Sequence, residues 1–188
     1  MSMNVSDINN AVMAMRNGGI IAYPTEAVFG LGCDPDNHEA LQTLLALKQR
    51  PAAKGLILIA AEFEQLLPYL AKVDAILEQR ALSTWPGAVT WLYPCAKQID
   101  PLLSGDHATI AVRVTAHPIA RRLCVEFGKP IVSTSANLSG QPPARSRAQV
   151  EAQFANRLAV IVDGEVDLKV KPSEIRDLVS NITIRSGQ

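Results

Sequence analysis

The sequence predicts an α/β domain built on a substantially parallel or mixed sheet. Three observations carry that expectation. Short apolar runs recur along the chain, at 20–23, 55–59, 109–114 and 130–133, each of strand length. Between them lie stretches with apolar residues at helical spacing, so strands and helices alternate. The run Gly-Leu-Ile-Leu-Ile at 55–59 does not alternate polar with apolar, which predicts a strand buried on both faces. A length of 188 residues suits one compact domain, with room for at most a modest appendage.

Taken in order, Ser6 or Asp7 caps a first helix carrying Ile8, Ala11, Val12 and Met15 on one side, and Gly18-Gly19 stops it. The strand at 20–23 runs into Tyr-Pro-Thr-Glu-Ala-Val-Phe-Gly-Leu-Gly at 23–32. That stretch follows no simple period: Pro24 fixes the exit direction, Thr25 and Glu26 offer a hydroxyl and a carboxylate, and Gly30 and Gly32 allow close backbone approach. A pocket rim and a capped turn both fit it. Asn37 caps a helix bearing Leu41, Leu44, Leu45 and Leu47, which ends at Lys48-Gln49-Arg50-Pro51. After the strand at 55–59, a helix is expected at 62–70, interrupted at Pro68, and another at 73–82.

Trp85-Pro86-Gly87 reads as a turn, 88–93 as a strand, and the segment to His107 as polar and irregular. A strand at 109–114 precedes a helix at 117–127 closed by Gly128, and the strand at 130–133 enters Thr-Ser-Ala-Asn-Leu-Ser-Gly. Ser146 and Gln149 form a capping box for a helix reaching Ala155. A strand at 158–162 and two short strands at 173–177 and 181–185 complete the chain.

Charge and cysteine usage narrow the function classes. Eighteen basic and 18 acidic residues cancel, so bulk charge does not announce a nucleic-acid partner. The three cysteines, Cys33, Cys95 and Cys124, show no Cys-x-x-Cys spacing, which argues against a disulfide framework and a zinc site and for a reducing compartment. The start lacks the pattern of a signal peptide, and the longest apolar run, 56–61, is too short to span a bilayer. The expectation is a cytoplasmic protein with no membrane partner.

Three polar clusters fall at strand or helix ends, where α/β sheets form ligand crevices. One is Thr25-Glu26. A second is Ser133-Thr134-Ser135 with Asn137 and Ser139-Gly140, richer in hydroxyls than a turn requires. The third is Lys48, Arg50 and Lys54, cations that suit a helix C-terminus and equally suit a polyphosphate clamp. The familiar nucleotide loops and nucleophile elbow are absent, and His38, His107 and His117 lack metal-ligand spacing and read as surface or capping residues.

In this order the clusters resemble the YrdC-type family. The resemblance rests on Tyr-Pro-Thr-Glu-x-Val-Phe-Gly-Leu-Gly at 23–32, Lys-Gln-Arg-Pro at 48–51 and Trp-Pro-Gly-x-Val-Thr at 85–90. It continues through Ala-Val-Arg-Val at 111–114, Ser-Thr-Ser-Ala-Asn-x-Ser-Gly at 133–140, Pro-Ser-Glu-Ile-Arg-Asp at 172–177 and the tail Ile184-Arg185-x-Gly187. It implies one YrdC-like domain over 1–188: a twisted mixed sheet with flanking helices around a large, concave, positively charged cavity. It also implies a nucleotidyltransferase that joins L-threonine, bicarbonate and ATP into threonylcarbamoyl-adenylate, with pyrophosphate released. The product would pass to tRNA-modification partner proteins acting on adenosine 37. Thr25, Arg113 and Ser133 would hold threonine. Lys48, Arg50, Ser135, Asn137, Ser173 and Arg185 would hold the nucleotide, with Lys48 and Arg50 stabilising charge in the reaction. Mg²⁺ would accompany ATP on its phosphates, with no protein metal site. Glu26 is the nearest candidate base and otherwise has no role. Many members carry Thr where this chain has Ala27. Two other readings stand beside this one: a non-catalytic factor contacting tRNA or double-stranded RNA, and a carbamoyl-adenylate enzyme of the hydrogenase-maturation type.

Overall fold

The structure, a computed structural model, describes residues 5–167 and 172–187. In chain order the elements are α1 (Val5–Arg16), β1 (Ile21–Pro24), β2 (Phe29–Gly32), α2 (His38–Lys48), β3 (Ile57–Ala60), α3 (Ala75–Leu82) and β4 (Val89–Pro94). Then follow α4 (Pro101–Ser104), β5 (Thr109–Val114), α5 (Pro118–Phe127), β6 (Ile131–Ser135), α6 (Arg147–Phe154), β7 (Val160–Ile161), β8 (Glu174–Asp177) and β9 (Thr183–Arg185). The strands form one mixed sheet in the order β7-β1-β2-β6-β3-β5-β4-β8-β9. β1–β7, β3–β5 and β4–β8 pair parallel, and the remaining pairs are antiparallel.

The pleat sorts alternate residues to two faces. Leu58, Ala60, Ile110, Val112, Val114, Phe29, Leu31, Trp91 and Tyr93 join one core with residues of α2, α4 and α6. Ile21, Tyr23, Ile59 and Ile131 join the other, under α1 and α5. The residues that share this second face but lie beyond the two helices are Gly30, Ile57, Leu92, Thr109, Ala111, Arg113, Ser133 and Ser135, and they line a cavity. The cavity is therefore the half of one sheet face that the helices leave uncovered.

Local chemistry sets the helix ends. Asn37 caps α2, its Oδ1 accepting from Ala40 N at 3.0 Å. Gln49 takes a left-handed conformation after α2, and Gly128 does so after α5. Ser146 caps α6 by accepting from Gln149 N at 3.3 Å, while Gln149 Oε1 accepts from Arg145 N at 2.7 Å, one residue earlier than the capping box requires. His117 caps α5 through Nδ1, which accepts from Ala120 N at 3.4 Å. Cys33, Cys95 and Cys124 are free thiols, and burial pushes Cys33 and Cys124 up to about 12.

Three expectations need correction. Ser6 and Asp7 fall inside the first turn of α1, which begins at Val5, so neither is its cap. Residues 62–70 form two short 3₁₀ turns, Phe63–Gln65 and Leu67–Tyr69, rather than a helix. Phe63, Leu66, Leu67 and Leu70 have helical spacing, but Pro68 supplies no N–H to continue the ladder. The short helix α4 also lies in the segment expected to be irregular.

The stretch 23–32 is a β-hairpin, with Tyr23 opposite Gly30 and Ile21 opposite Gly32. Its glycines make room for the fully buried Tyr23 ring, whose phenol donates to Val132 O at 3.2 Å. A Cβ on Gly32 would stand 2.7 Å from Val132 O and 2.8 Å from Tyr23 Cε1. Gly32→Ala is expected to lower stability by about 1–3 kcal/mol, read as an earlier urea midpoint with an unchanged slope.

Candidate active site

The cavity measures about 430 Å³, within the usual range for a small-molecule site. Its floor comes from the start of β3, one face of β5 and the exit of β6, and its sides from the 25–28 loop, the 50–55 segment and the β8–β9 hairpin. Alternation on β5 explains why an arginine sits here: Ile110, Val112 and Val114 go to the core, which leaves Thr109, Ala111 and Arg113 facing the cavity. Arg50, Lys54, Arg113 and Arg185 bring positive charge to its wall, against the carboxylate of Glu26.

The 25–28 loop, β5 and the exit of β6 meet in one cluster. Thr25 N and Oγ1 both donate to Val28 O, at 3.0 and 2.6 Å. The Thr25 hydroxyl hydrogen is thus committed to the loop, leaving its lone pairs to accept from a ligand. Arg113 is 6% exposed, and its Nη1 donates to Glu26 Oε1 at 2.7 Å and to Gly87 O at 3.4 Å. Thr115 Oγ1 donates to the same Glu26 oxygen at 2.9 Å. Burial opposes the Glu26 charge, but the Arg113 guanidinium beside it outweighs that and holds the carboxyl below its usual range. Ser133 completes the cluster, buried close to the Tyr23 phenol. Burial pushes that phenol far above its ordinary value, so it stays neutral.

A second cluster gathers Arg50, Ser135, Ser173 and Arg185. Half-buried Arg50 donates from Nε and Nη2 to Gly55 O at 3.3 and 3.1 Å, which fixes one edge of the guanidinium. Burial first, then the Arg185 charge, lowers the Arg50 pKa. Arg185 is exposed at the mouth and donates from Nη2 to Ser173 O at 3.1 Å, while the Ser173 hydroxyl accepts from Thr90 Oγ1 at 3.0 Å. Two guanidiniums facing one another across a concave wall form a site for an anion.

Lys48 and Asn137 lie behind this wall. Lys48 is 4% exposed on the buried side of α2, with Leu41, Leu44 and Leu45. Its Nζ donates to the main-chain oxygens of Ser135 and, at 2.9 Å, Asn137, and at 3.3 Å to Asn137 Oδ1. Ser135 Oγ donates to the same Oδ1 at 2.6 Å, and Asn137 Nδ2 donates to Gln141 O at 2.8 Å. These contacts brace the exit of β6, so the amide of Asn137 is engaged by the protein itself.

The model of the Sua5/YciO/YrdC family, described as "Telomere recombination", matches residues 13–187. The chain belongs to that family. It is 50% identical over 185 residues to the threonylcarbamoyl-AMP synthase of Photobacterium profundum, covering 97% of this chain and 100% of the relative. Among solved structures, a P. abyssi Sua5 variant superposes with a TM-score of 0.90 at 33% identity, covering 96% of this chain and 56% of that one. P. abyssi Sua5 complexed with L-threonine gives a TM-score of 0.83 at 34% identity, over 90% of this chain and 50% of that one. The chain thus spans the whole of its bacterial relative and about half of Sua5.

Sequence reasoning missed parts of this Sua5/YciO/YrdC site. His107, read as a surface or capping residue, lines the rim with Ser104 and Thr109. Thr115 had no assigned role, although its place two residues beyond Arg113, just past the end of β5, was a usable signal. Among the described residues no group of three His, Cys, Asp or Glu side chains could hold a metal ion, and Glu26 is occupied by Arg113 and Thr115. These residues form no metal site of their own. None of the described helices is long and apolar enough to cross a membrane.

Proposed function

We propose that this chain is a threonylcarbamoyl-AMP synthase, which condenses L-threonine, bicarbonate or CO₂ and ATP and releases pyrophosphate. The observation that carries the reading is one cavity containing two complementary clusters. Arg113, Glu26, Thr25 and Ser133 suit a zwitterionic amino acid with a hydroxyl. Arg50 and Arg185, with Lys54 nearby, suit a polyphosphate. The name of the half-identical bacterial relative and the L-threonine complex of Sua5 support it.

The chemistry asks for positioning rather than covalent catalysis. The threonine ammonium gives one proton to water, and the free amine bonds to the carbon of CO₂ and gives a second proton to water, leaving a carbamate. A carbamate oxygen then bonds to the α-phosphorus as the bond to the pyrophosphate oxygen breaks. Neither step uses a side-chain nucleophile, so the protein's contribution is proximity and charge stabilisation. In this reading Arg113 takes the substrate carboxylate, Thr25 accepts from its ammonium or hydroxyl, and Ser133 completes the contact. Arg50 and Arg185 neutralise the phosphates, with Ser135 and Ser173 beside them. Lys48 and Asn137 act from behind, holding the β6 exit in shape and adding positive potential. ATP brings Mg²⁺ on its own phosphates. The labile product then passes to partner proteins that transfer its threonylcarbamoyl group to adenosine 37 of a tRNA, with AMP as the leaving group. The RNA-binding reading has no observation in its favour.

The test is pyrophosphate release from purified protein given ATP, bicarbonate and each amino acid in turn. Release that depends on threonine and on bicarbonate is the expected result. Release that depends on carbamoyl phosphate, or no turnover with any amino acid, would overturn the reading.

A further inference from the structure

We propose that Glu26 is a positioning residue for amino-acid binding: it clamps the Arg113 guanidinium so that its remaining donors face the carboxylate of the substrate. The inference rests on the synthase reading and assigns the one acidic side chain among the described lining residues.

Burying a guanidinium as deeply as Arg113 requires a fixed anionic partner. Glu26 supplies it from the hairpin loop across the cavity, 87 residues away in sequence, at 2.7 Å. The clamp is itself held at two points. Thr115 Oγ1 donates to Glu26 Oε1 at 2.9 Å, and Asp167 N donates to Glu26 O at 2.9 Å. With Nη1 so engaged, Arg113 still carries a buried Nε–H that has no hydrogen-bond partner. A buried cationic donor left over in this way is costly and keeps the pairing with Glu26 under demand, while the part of the guanidinium that lines the cavity is what an arriving carboxylate meets. The same cavity also admits polyphosphate, for which an untethered arginine would compete. Glu26 therefore reserves Arg113 for the carboxylate. Its own carboxylate is engaged by Arg113 and Thr115, which makes it a poor proton acceptor for the substrate amine.

The experiment compares E26Q, R113K and the double variant with the unmodified protein, reading KM for L-threonine, KM for ATP, kcat and the melting temperature. E26Q is expected to raise the threonine KM about tenfold, the worth of one charge-assisted hydrogen bond, with the ATP KM changed less than about twofold. E26D, which keeps the charge on a shorter stem, should recover part of the loss. The double variant should bind threonine no worse than R113K alone, because the clamp has no second function. Additive losses in the double variant would overturn the role. So would a fall in kcat with an unchanged threonine KM, which marks proton transfer instead. If E26Q fails to fold, T115V removes only the hydroxyl on the carboxylate and should still raise the threonine KM by about two- to fivefold; an unchanged value would overturn the role. Absence of threonine-dependent turnover in the unmodified protein would overturn the synthase reading, and this role would fall with it.

Discussion

Replacing Arg50 with Ala is expected to lower kcat/KM for ATP in threonine-dependent pyrophosphate release by about 10²–10³, the usual cost of losing one preorganised donor at developing charge. The geometry gives the reason. Two bonds to Gly55 O fix one edge of the guanidinium while the side chain lines the cavity, so its orientation is set before ATP arrives. The Arg185 charge beside it adds to burial in lowering the Arg50 pKa, a strain that an arriving anion relieves. R50A also takes both side-chain donors from Gly55 O, so a modest loss of about 1 kcal/mol, roughly 2–4 °C in melting temperature, is expected beside the much larger loss of activity. Arg50→Lys keeps the charge but not the planar fork, and should lose about tenfold, the worth of one charge-assisted bond. Turnover of R50A within about threefold of the parent, with ATP saturating normally, would remove Arg50 from the phosphate site.

The two cations of the Lys-x-Arg motif look alike in sequence and differ in the fold. On α2, Leu41, Leu44, Leu45 and Lys48 follow the i, i+3, i+4, i+7 rule, a periodicity that could have placed Lys48 on the buried side, although the motif had put it in the phosphate clamp. Arg50 lies beyond the helix end at Gln49 and escapes that rule. Strand alternation was equally legible on β5, where one register puts Arg113 opposite the core residues. The hairpin at 23–32 was not legible, because Gly32 answers to the Tyr23 ring across the strand, and Gly30 both to that ring and to the cavity it lines. Nor was the Glu26–Arg113 pair, whose partners meet only when β5 and the hairpin enter one sheet. Local pattern reports which face a residue takes; it does not report what comes to face it. The turns at 62–70 show the converse, a helical pattern without a backbone donor at Pro68 to sustain it.

Lys48→Met should cost activity, and more stability than Arg50→Ala. Met keeps the apolar stem beside Leu44 and Leu45 but removes the ammonium that serves the oxygens of Ser135 and Asn137. Ser135 O keeps the donor Asn137 N at 3.0 Å, but Asn137 O loses the Lys48 ammonium and the β6 exit loses its brace, which predicts a loss of about 2–4 kcal/mol. In a chain of this size that loss is roughly 5–12 °C in melting temperature. Activity should fall even where the variant is folded, because the exit of β6 carries Ser133 and Ser135 into the cavity. The pH dependence separates this role from a surface one. Burial, then the Arg50 charge, draws Lys48 from 10.5 to about 8. Between those values the unfolded chain binds more protons than the folded one, so stability contributed by Lys48 rises with pH across the window and is smallest below about 8. The carbonyl acceptors favour the charged form and temper the effect. The stability gap between the parent and the Met variant should therefore widen by about 1–2 kcal/mol from about pH 7.5 to about pH 10 in matched urea titrations. Titrating groups common to both proteins cancel in that difference. A gap that stays constant with pH would mean that Lys48 keeps its ordinary affinity for a proton, and an absent gap would place its ammonium in solvent rather than beneath the wall of the site.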